Sequence, residues 1–281
     1  MTLGIAWVGT RADGRRHLYL ASDSRTRGAM TLDVCPKIIP LPRGDSAICF
    51  AGDTAATYPL MLQLQNAVNA HQPALNRTLD IGKLKEHMLR VFTDILNGVN
   101  DPAMPIEPSD VQFIFAGYSW VSKEFRIWTI NYSTKQRRFG ARASVSFSPA
   151  IQMVAFIGDW ATKARSSLFK QLQVQTQSNS KVVEYAPFLI LRDLLRNADK
   201  NATIGGAPQL IRIGEHMNTR VLAVRWPDSS GKPNMLGREL YDYENTDNWI
   251  LDPDTLVIHR PRSFGNRSEG SVDRDGDFVI K

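Results

Sequence analysis

The chain has 281 residues, 43% of them hydrophobic and 22% charged, which is enough to bury a sizeable core in one or two domains. Its 34 basic residues against 28 acidic ones leave a net charge of +6, scattered rather than gathered into a basic stripe with interleaved aromatics, so nucleic acid is not an expected partner. No apolar run approaches the roughly 18–20 residues of a membrane span, no signal core opens the chain, and Cys35 and Cys49 make neither a disulfide framework nor a metal spacing; no membrane association is expected, and a reducing cytoplasm is the expected compartment.

In chain order, residues 3–8 and 17–22 read as a hairpin around the polar turn Ala12-Asp13-Gly14-Arg15. The second strand runs out into Ala21-Ser22-Asp23-Ser24-Arg25-Thr26. Lys37 follows between Pro36 and Ile38, and an apolar strand over 47–51 leads through Gly52-Asp53-Thr54 toward a helix reaching about Ala70. Asp53 suits the N-cap or first turn of that helix. Pro59 lacks an N–H donor and crowds the preceding turn, which predicts a start nearer Thr57 or kinked first turns. Ile81, Leu84, Met88, Phe92, Ile95 and Val99 predict a second helix with one apolar stripe, ended by Gly98 and Pro102. Strands are expected over 111–118, 125–132, 136–141 and 152–157. Gly158-Asp159 then opens a helix with Ala164, Leu168 and Leu172 on one face. A polar loop at 176–180 precedes a fourth helix, with Pro187 in its first turn and a stripe of Phe188, Leu191 and Leu195. After Gly205-Gly206 come strands at 209–213 and 221–226.

Strands, two helices, strands, two helices, strands is not the single alternation of a doubly wound parallel fold. The order predicts an α+β protein, a four-layer αββα sandwich of two antiparallel sheets stacked face to face with a helix pair outside each. A strand apolar throughout, as at 47–51, fits a sheet covered on both faces. Residues 1–226 would form this domain and 227–281 an appended region. That region holds a polar turn at 228–233, strand-like pieces at 239–243 and 255–259, and a tail over 260–276 whose composition reads as mobile. Phe278-Val279-Ile280 could dock on a neighbour. Asp273-Arg274-Asp275-Gly276-Asp277 lacks the glycine and glutamate positions of a calcium loop, and the five histidines are dispersed. Neither a metal nor a cofactor is expected.

Chemistry concentrates at the start. Thr2 follows Met1, and its small side chain permits removal of that methionine. The exposed residue would carry a hydroxyl nucleophile and, in its own α-amine (unperturbed pKa about 7.7–8.0), a general base. Lys37 would supply positive charge that lowers the proton affinity of both groups, Asp23 would orient the lysine, and the Gly52 N–H would donate to an oxyanion. The bland alternatives stay open on these residues alone. Asp23 suits an ion pair with Arg25, Lys37 a solvated loop, and Gly52 a tight strand-to-helix connection.

These segments carry a resemblance that covers about the first two hundred residues. Thr2-Leu3 is similar to the Thr-Thr or Thr-Ile opening of proteasome β-type subunits, the threonine-peptidase branch of the N-terminal-nucleophile hydrolases. Ala21-Ser22-Asp23-Ser24-Arg25-Thr26 resembles their Gly/Ala-Ala-Asp-Ser-Arg-Ala/Thr segment, and Lys37 lies where their catalytic lysine follows it. Phe50-Ala51-Gly52-Asp53-Thr54-Ala55 resembles the Phe-Ala-Gly-Gly-Thr-Ala of the bacterial HslV-type subunit. The resemblance implies a threonine-type peptidase with Thr2, Asp23 and Lys37 as catalytic residues and Gly52 in the oxyanion hole. It further implies peptide or unfolded-protein substrates, a self-compartmentalised homo-oligomer (ring or stack), and an ATP-dependent unfoldase as partner. The supporting residues depart from the family pattern. Asp159 stands where a serine follows the glycine, and Asn201 and Ile204 stand at the offsets of an aspartate and a serine before Gly205-Gly206. Asp159 and Asn201 are therefore accessory candidates. A small-molecule amidase or acylase of the same fold, or an assembly subunit with impaired catalysis, are the alternative readings.

Overall fold

The computed structural model describes residues 2–11, 13–28, 30–99, 111–148, 151–174, 180–244 and 246–260. The described residues are about 28% helix and 36% strand, a mixed composition compatible with an α+β fold. The hairpin expected at the start forms from β1 (Gly4–Thr10) and β2 (Arg16–Ser22), paired antiparallel with Gly4 opposite Ser22. On its other side β1 pairs with β10 (Ile151–Ile157), and β2 pairs with β11 (Gln209–Gly214), which pairs with β12 (Thr219–Trp226). A second sheet runs in the order β5 (Ile38–Pro40), β6 (Ser46–Gly52), β7 (Val111–Ser119), β8 (Glu124–Ser133), β9 (Arg138–Ala143), all antiparallel. A small hairpin of β3 (Thr26–Arg27) and β4 (Thr31–Leu32) stands apart, between the segments that carry Asp23 and Lys37.

Three apolar clusters hold these pieces. Ala6, Val8, Leu18 and Leu20 from the first sheet meet Cys49, Ile114, Ala116 and Ile127 from the second. Period-two alternation sends their neighbours the other way. Ile5, Trp7 and Tyr19 pack on the helices α4 (Ala161–Val174) and α6 (Ala186–Arg196), which follow β10, with the short α5 (Ser180–Glu184) between them. Ile48, Phe50, Phe113 and Phe115 pack on α1 (Thr54–Ala70) and α3 (Ile81–Asn97), with the one-turn α2 (Gln72–Leu75) as connector. Both faces of β6 are thus covered, which is why it is apolar without alternation.

Expectations change in two helices and in the region after Trp226. In that region the strand Arg238–Glu239 takes only the first residue of the expected 239–243 piece, strand within 255–259 is confined to Ile258–His259, and Lys232 and Pro233 of the expected turn lie in a strand. The first helix starts at Thr54 with Pro59 inside it. Asp53 caps it, accepting from the Ala55 N–H at 3.0 Å, and burial of Leu60, Met61 and Leu64 offsets the donor that proline removes. In α3 the buried stripe is Ile81, Leu84, Met88, Phe92 and Leu96, while Ile95 is half-buried and Val99 lies exposed beyond the Gly98 cap. A step of four after Phe92 follows the 3.6-residue turn better than the step of three. Pro102 lies outside the described residues, as do 176–179, everything beyond residue 260 in the expected tail, and Phe278-Val279-Ile280.

The region after Trp226 extends the first sheet. β13 (Lys232–Met235) pairs antiparallel with β12 and turns through two residues into β14 (Arg238–Glu239). β15 (Ile250–Leu251) pairs parallel with β12 and antiparallel with β16 (Ile258–His259). No helix among the described residues is long and apolar enough to cross a membrane.

Candidate active site

Thr2 sits at the mouth of β1, which lies between β10 and β2 in the first sheet, and it is 1% exposed. Lys37 lies directly before β5 and is equally buried. A buried ammonium is costly without partners. Lys37 Nζ donates to the Thr2 hydroxyl and, at 2.9 Å, to Asp23 Oδ1. The solvated-loop reading of Lys37 therefore fails, and so does the strand-end pair of Asp23 with Arg25, because Arg25 binds elsewhere.

Asp23 is held at the end of β2 by the backbone. Its carboxylate accepts from the N–H groups of Leu3 (3.1 Å), Arg25 (3.0 Å) and Gly205 (3.3 Å) as well as from Lys37. Burial pushes its carboxyl above the ordinary range, and the Lys37 charge with these donors pulls in the opposite direction without cancelling the effect. Arg25 turns away to grip Asp33 through Nε (2.6 Å) and Nη2 (2.8 Å), and its Nη1 donates to the carbonyls of Asp199, Lys200 and Ala202. That bidentate bond holds the Asp33 carboxyl below its usual range. Arg25 thus ties the 199–206 loop to the segment between Asp23 and Lys37.

The Thr2 backbone nitrogen donates to Asp159 Oδ1 at 2.7 Å. The other Asp159 oxygen accepts from the Thr203 hydroxyl, which in turn accepts from Trp160 Nε1 at 2.8 Å. Gly158 permits this approach. It has φ +92°, and a Cβ there would stand 2.0 Å from the Thr2 carbonyl oxygen. Its N–H donates to the Gln112 side chain at 3.0 Å, which ties the Thr2 side of the site to the second sheet.

Gly52 ends β6 with φ +119°, a conformation that suits glycine, and Asp53 follows it as the cap of α1. The adjacent Ala51 Cβ lies 3.4 Å from where a Gly158 Cβ would stand, so this strand end borders Thr2. Asn201 is exposed; its N–H donates to Asp199 and its carbonyl accepts from Arg27, while Thr203 is the residue of that loop that reaches Asp159. Ile204 is fully buried in the cluster beneath the helices.

Gln209 was invisible to motif reading. Fully buried at the start of β11, it accepts at Oε1 from the N–H groups of Lys37 (2.9 Å) and Ile38 (3.3 Å). Its Nε2 donates to the carbonyls of Cys35 (2.7 Å) and Asp23 (3.2 Å) and to the Ser24 hydroxyl (3.0 Å). One amide thus clamps the two segments that carry Asp23 and Lys37. The only sequence signal is a polar residue opening a strand in which Leu210, Ile211 and Ile213 are apolar.

Burial pushes the Cys49 thiol up to about 12 and raises that of Cys35, so neither offers a thiolate near neutral pH. No group of three or more His, Cys, Asp or Glu suited to a metal occurs among the described residues. The assembled parts are a hydroxyl, a lysine hydrogen-bonded to it, a buried carboxylate behind the lysine, and a second carboxylate on the threonine nitrogen. Together they can activate the hydroxyl and, if removal of Met1 frees that nitrogen as an amine, stabilise positive charge on it. No family model matches this chain, and no curated protein matches it.

Proposed function

We propose that the protein is an N-terminal-nucleophile hydrolase of the threonine type that cleaves amide bonds once Met1 is removed. The observation that carries this reading is the fully buried Lys37, shared between the Thr2 hydroxyl and the Asp23 carboxylate. A solvent-excluded lysine aimed at a hydroxyl has little structural use, whereas it lowers the cost of forming an alkoxide. The two facing sheets with helices outside each agree with the four-layer αββα sandwich of that class, and the resemblance to proteasome β-type subunits points the same way.

The steps follow from the groups in place. The Thr2 hydroxyl attacks the substrate carbonyl carbon while its proton passes to the freed α-amine, directly or through one water. Lys37 offsets charge on the attacking oxygen. Asp159 offsets the charge the amine gains, and the Gly52 N–H serves the oxyanion. The tetrahedral intermediate collapses as the C–N bond breaks, and the leaving amine takes the proton from the α-ammonium. Water then attacks the resulting ester, giving its proton to the amine and returning one to Thr2 as the acid product departs.

The substrate class is peptide or unfolded protein, and the working form is a homo-oligomeric ring or stack in the cytoplasm that confines the Thr2 sites, with an ATP-dependent unfoldase as feeder. Incubation with an epoxyketone or boronate followed by intact-mass and peptide mapping tests the chemistry. A single adduct on Thr2 of the Met1-free chain is expected, and absence of any adduct on that chain rejects the reading. Cleavage of a peptide library then separates the peptidase from an amidase acting on small molecules, and a chain that binds neither is the impaired assembly subunit.

A further inference from the structure

The two-residue turn between β13 and β14 carries strain that its sequence does not explain. Leu236 and Gly237 occupy it at φ +50° and +90°. Positive φ at both central positions is the pattern that Asn-Gly or Gly-Gly satisfies cheaply, and a leucine there is disfavoured. Strain persists where the surroundings compensate it.

Here the compensation lies beneath the turn. The Leu236 side chain packs against the apolar cluster between the sheets, which contains Ile38, the residue after Lys37, and Ile211, two residues beyond Gln209 in β11. Gly237 is buried so closely on Ser24 that a Cβ would stand 2.3 Å from its Oγ and 3.5 Å from Gln209 Nε2. Ser24 follows Asp23 directly; its hydroxyl donates to the Ala207 carbonyl at 2.5 Å and accepts from Gln209. Contacts therefore run unbroken from the turn, through Ser24 and Gln209, to the backbone of Asp23 and Lys37.

We infer that the Leu236–Gly237 turn is a wedge that fixes the Asp23–Lys37 geometry by closing over Ser24 and Gln209, so that the region after Trp226 is a positioning part of the site. Its catalytic consequence rests on the hydrolase reading above; its mechanical consequence does not. A misplacement near 1 Å at a reacting group costs about a hundredfold in rate, which gives a wedge distant from the chemistry enough leverage to matter.

Leu236→Asn separates this role from plain stability, because asparagine suits the turn better while removing the anchor. Hydrogen exchange followed by mass spectrometry on the full chain reads the mechanical arm, and kcat per labelled Thr2 reads the catalytic one. In Leu236→Asn and in Gly237→Ala, exchange within residues 22–38 should quicken on the order of tenfold, with β6–β8 unchanged. kcat should fall about 10–100-fold with KM held within about twofold. Leu236→Met, which restores an apolar anchor, should recover most of both. Unchanged exchange in 22–38 at a wild-type melting temperature overturns the proposal, as does a uniform loosening of both sheets. Faster exchange confined to 22–38 in a chain whose wild type never labels or turns over supports the wedge and rejects the hydrolase.

Discussion

The Asp159 carboxylate accepts a 2.7 Å hydrogen bond from the Thr2 nitrogen, joining residues 157 positions apart in the chain. The resemblance places a serine hydroxyl there, which would leave an amine's charge uncompensated. A carboxylate instead favours the protonated amine, by about 1–3 pKa units for a close opposite charge, while Lys37 opposes it from the hydroxyl side. In the chain begun at Thr2, Asp159→Asn should therefore lower the α-amine pKa by about one unit or more. Competitive acylation of the amine across pH reads this directly, and the rising limb of kcat/KM should move to lower pH with it. A pKa that stays put would mean that Asp159 is a local brace only.

The proposed nucleophile and its charge partner are separable by substitution. Thr2→Ala should remove turnover with a wild-type melting curve, because among the described residues the hydroxyl's hydrogen-bond partner is Lys37. Lys37→Ala should lower kcat by about 10²–10⁴-fold. It also leaves Asp23 buried without its cation, at a cost of about 3–5 kcal/mol. Initial rates together with urea unfolding separate the two effects, and full activity in Thr2→Ala would sink the mechanism.

Stability and activity should diverge with pH at Asp23. Its native carboxyl binds a proton more tightly than the unfolded chain does, so its contribution to stability is complete below the ordinary aspartate pKa. That contribution is lost as pH rises through the raised native value. The proposed mechanism needs the ionised form to hold Lys37, so rates should rise over the same window. The urea midpoint of the wild type minus that of Asp23→Asn should decline with pH there, while wild-type rates climb.

Gly158→Ala tests how closely β10 must approach the nucleophile. The added Cβ would meet the Thr2 carbonyl oxygen at 2.0 Å, and φ +92° disfavours any side chain. A loss of about 1–3 kcal/mol and a larger fall in kcat than in stability are expected. Thermal melting and rate measurements on one preparation decide the matter.

Confinement predicts assembly. Light scattering at micromolar concentration should find a particle of many subunits, and a stable monomer would move weight to an amidase that acts on small molecules.

Sequence alone determined the order of the longer strands and helices up to Trp226 and most of the core, because periodicity and turn residues act within ten or so neighbouring positions; the short elements, β5 among them, left no such pattern. The hairpin around Asp13, the stripe of α3 from Ile81 to Phe92 and the apolar run of β6 were all legible for that reason. Thr2, Asp23 and Lys37 were legible as candidates through motif order, although nothing local distinguished Lys37 from a solvated charge. Tertiary structure decided that question by burying Lys37 between a hydroxyl and a carboxylate, and a pairing across 35 residues leaves no periodic trace. It also selected Thr203 over Asn201 as the partner of Asp159, and it brought Gln209 and the Leu236–Gly237 turn onto the site. Those contacts depend on which strands become neighbours: β2 pairs with β11 across the sheet, and that register, rather than any short motif, sets Gln209 against the backbone of Asp23 and Lys37.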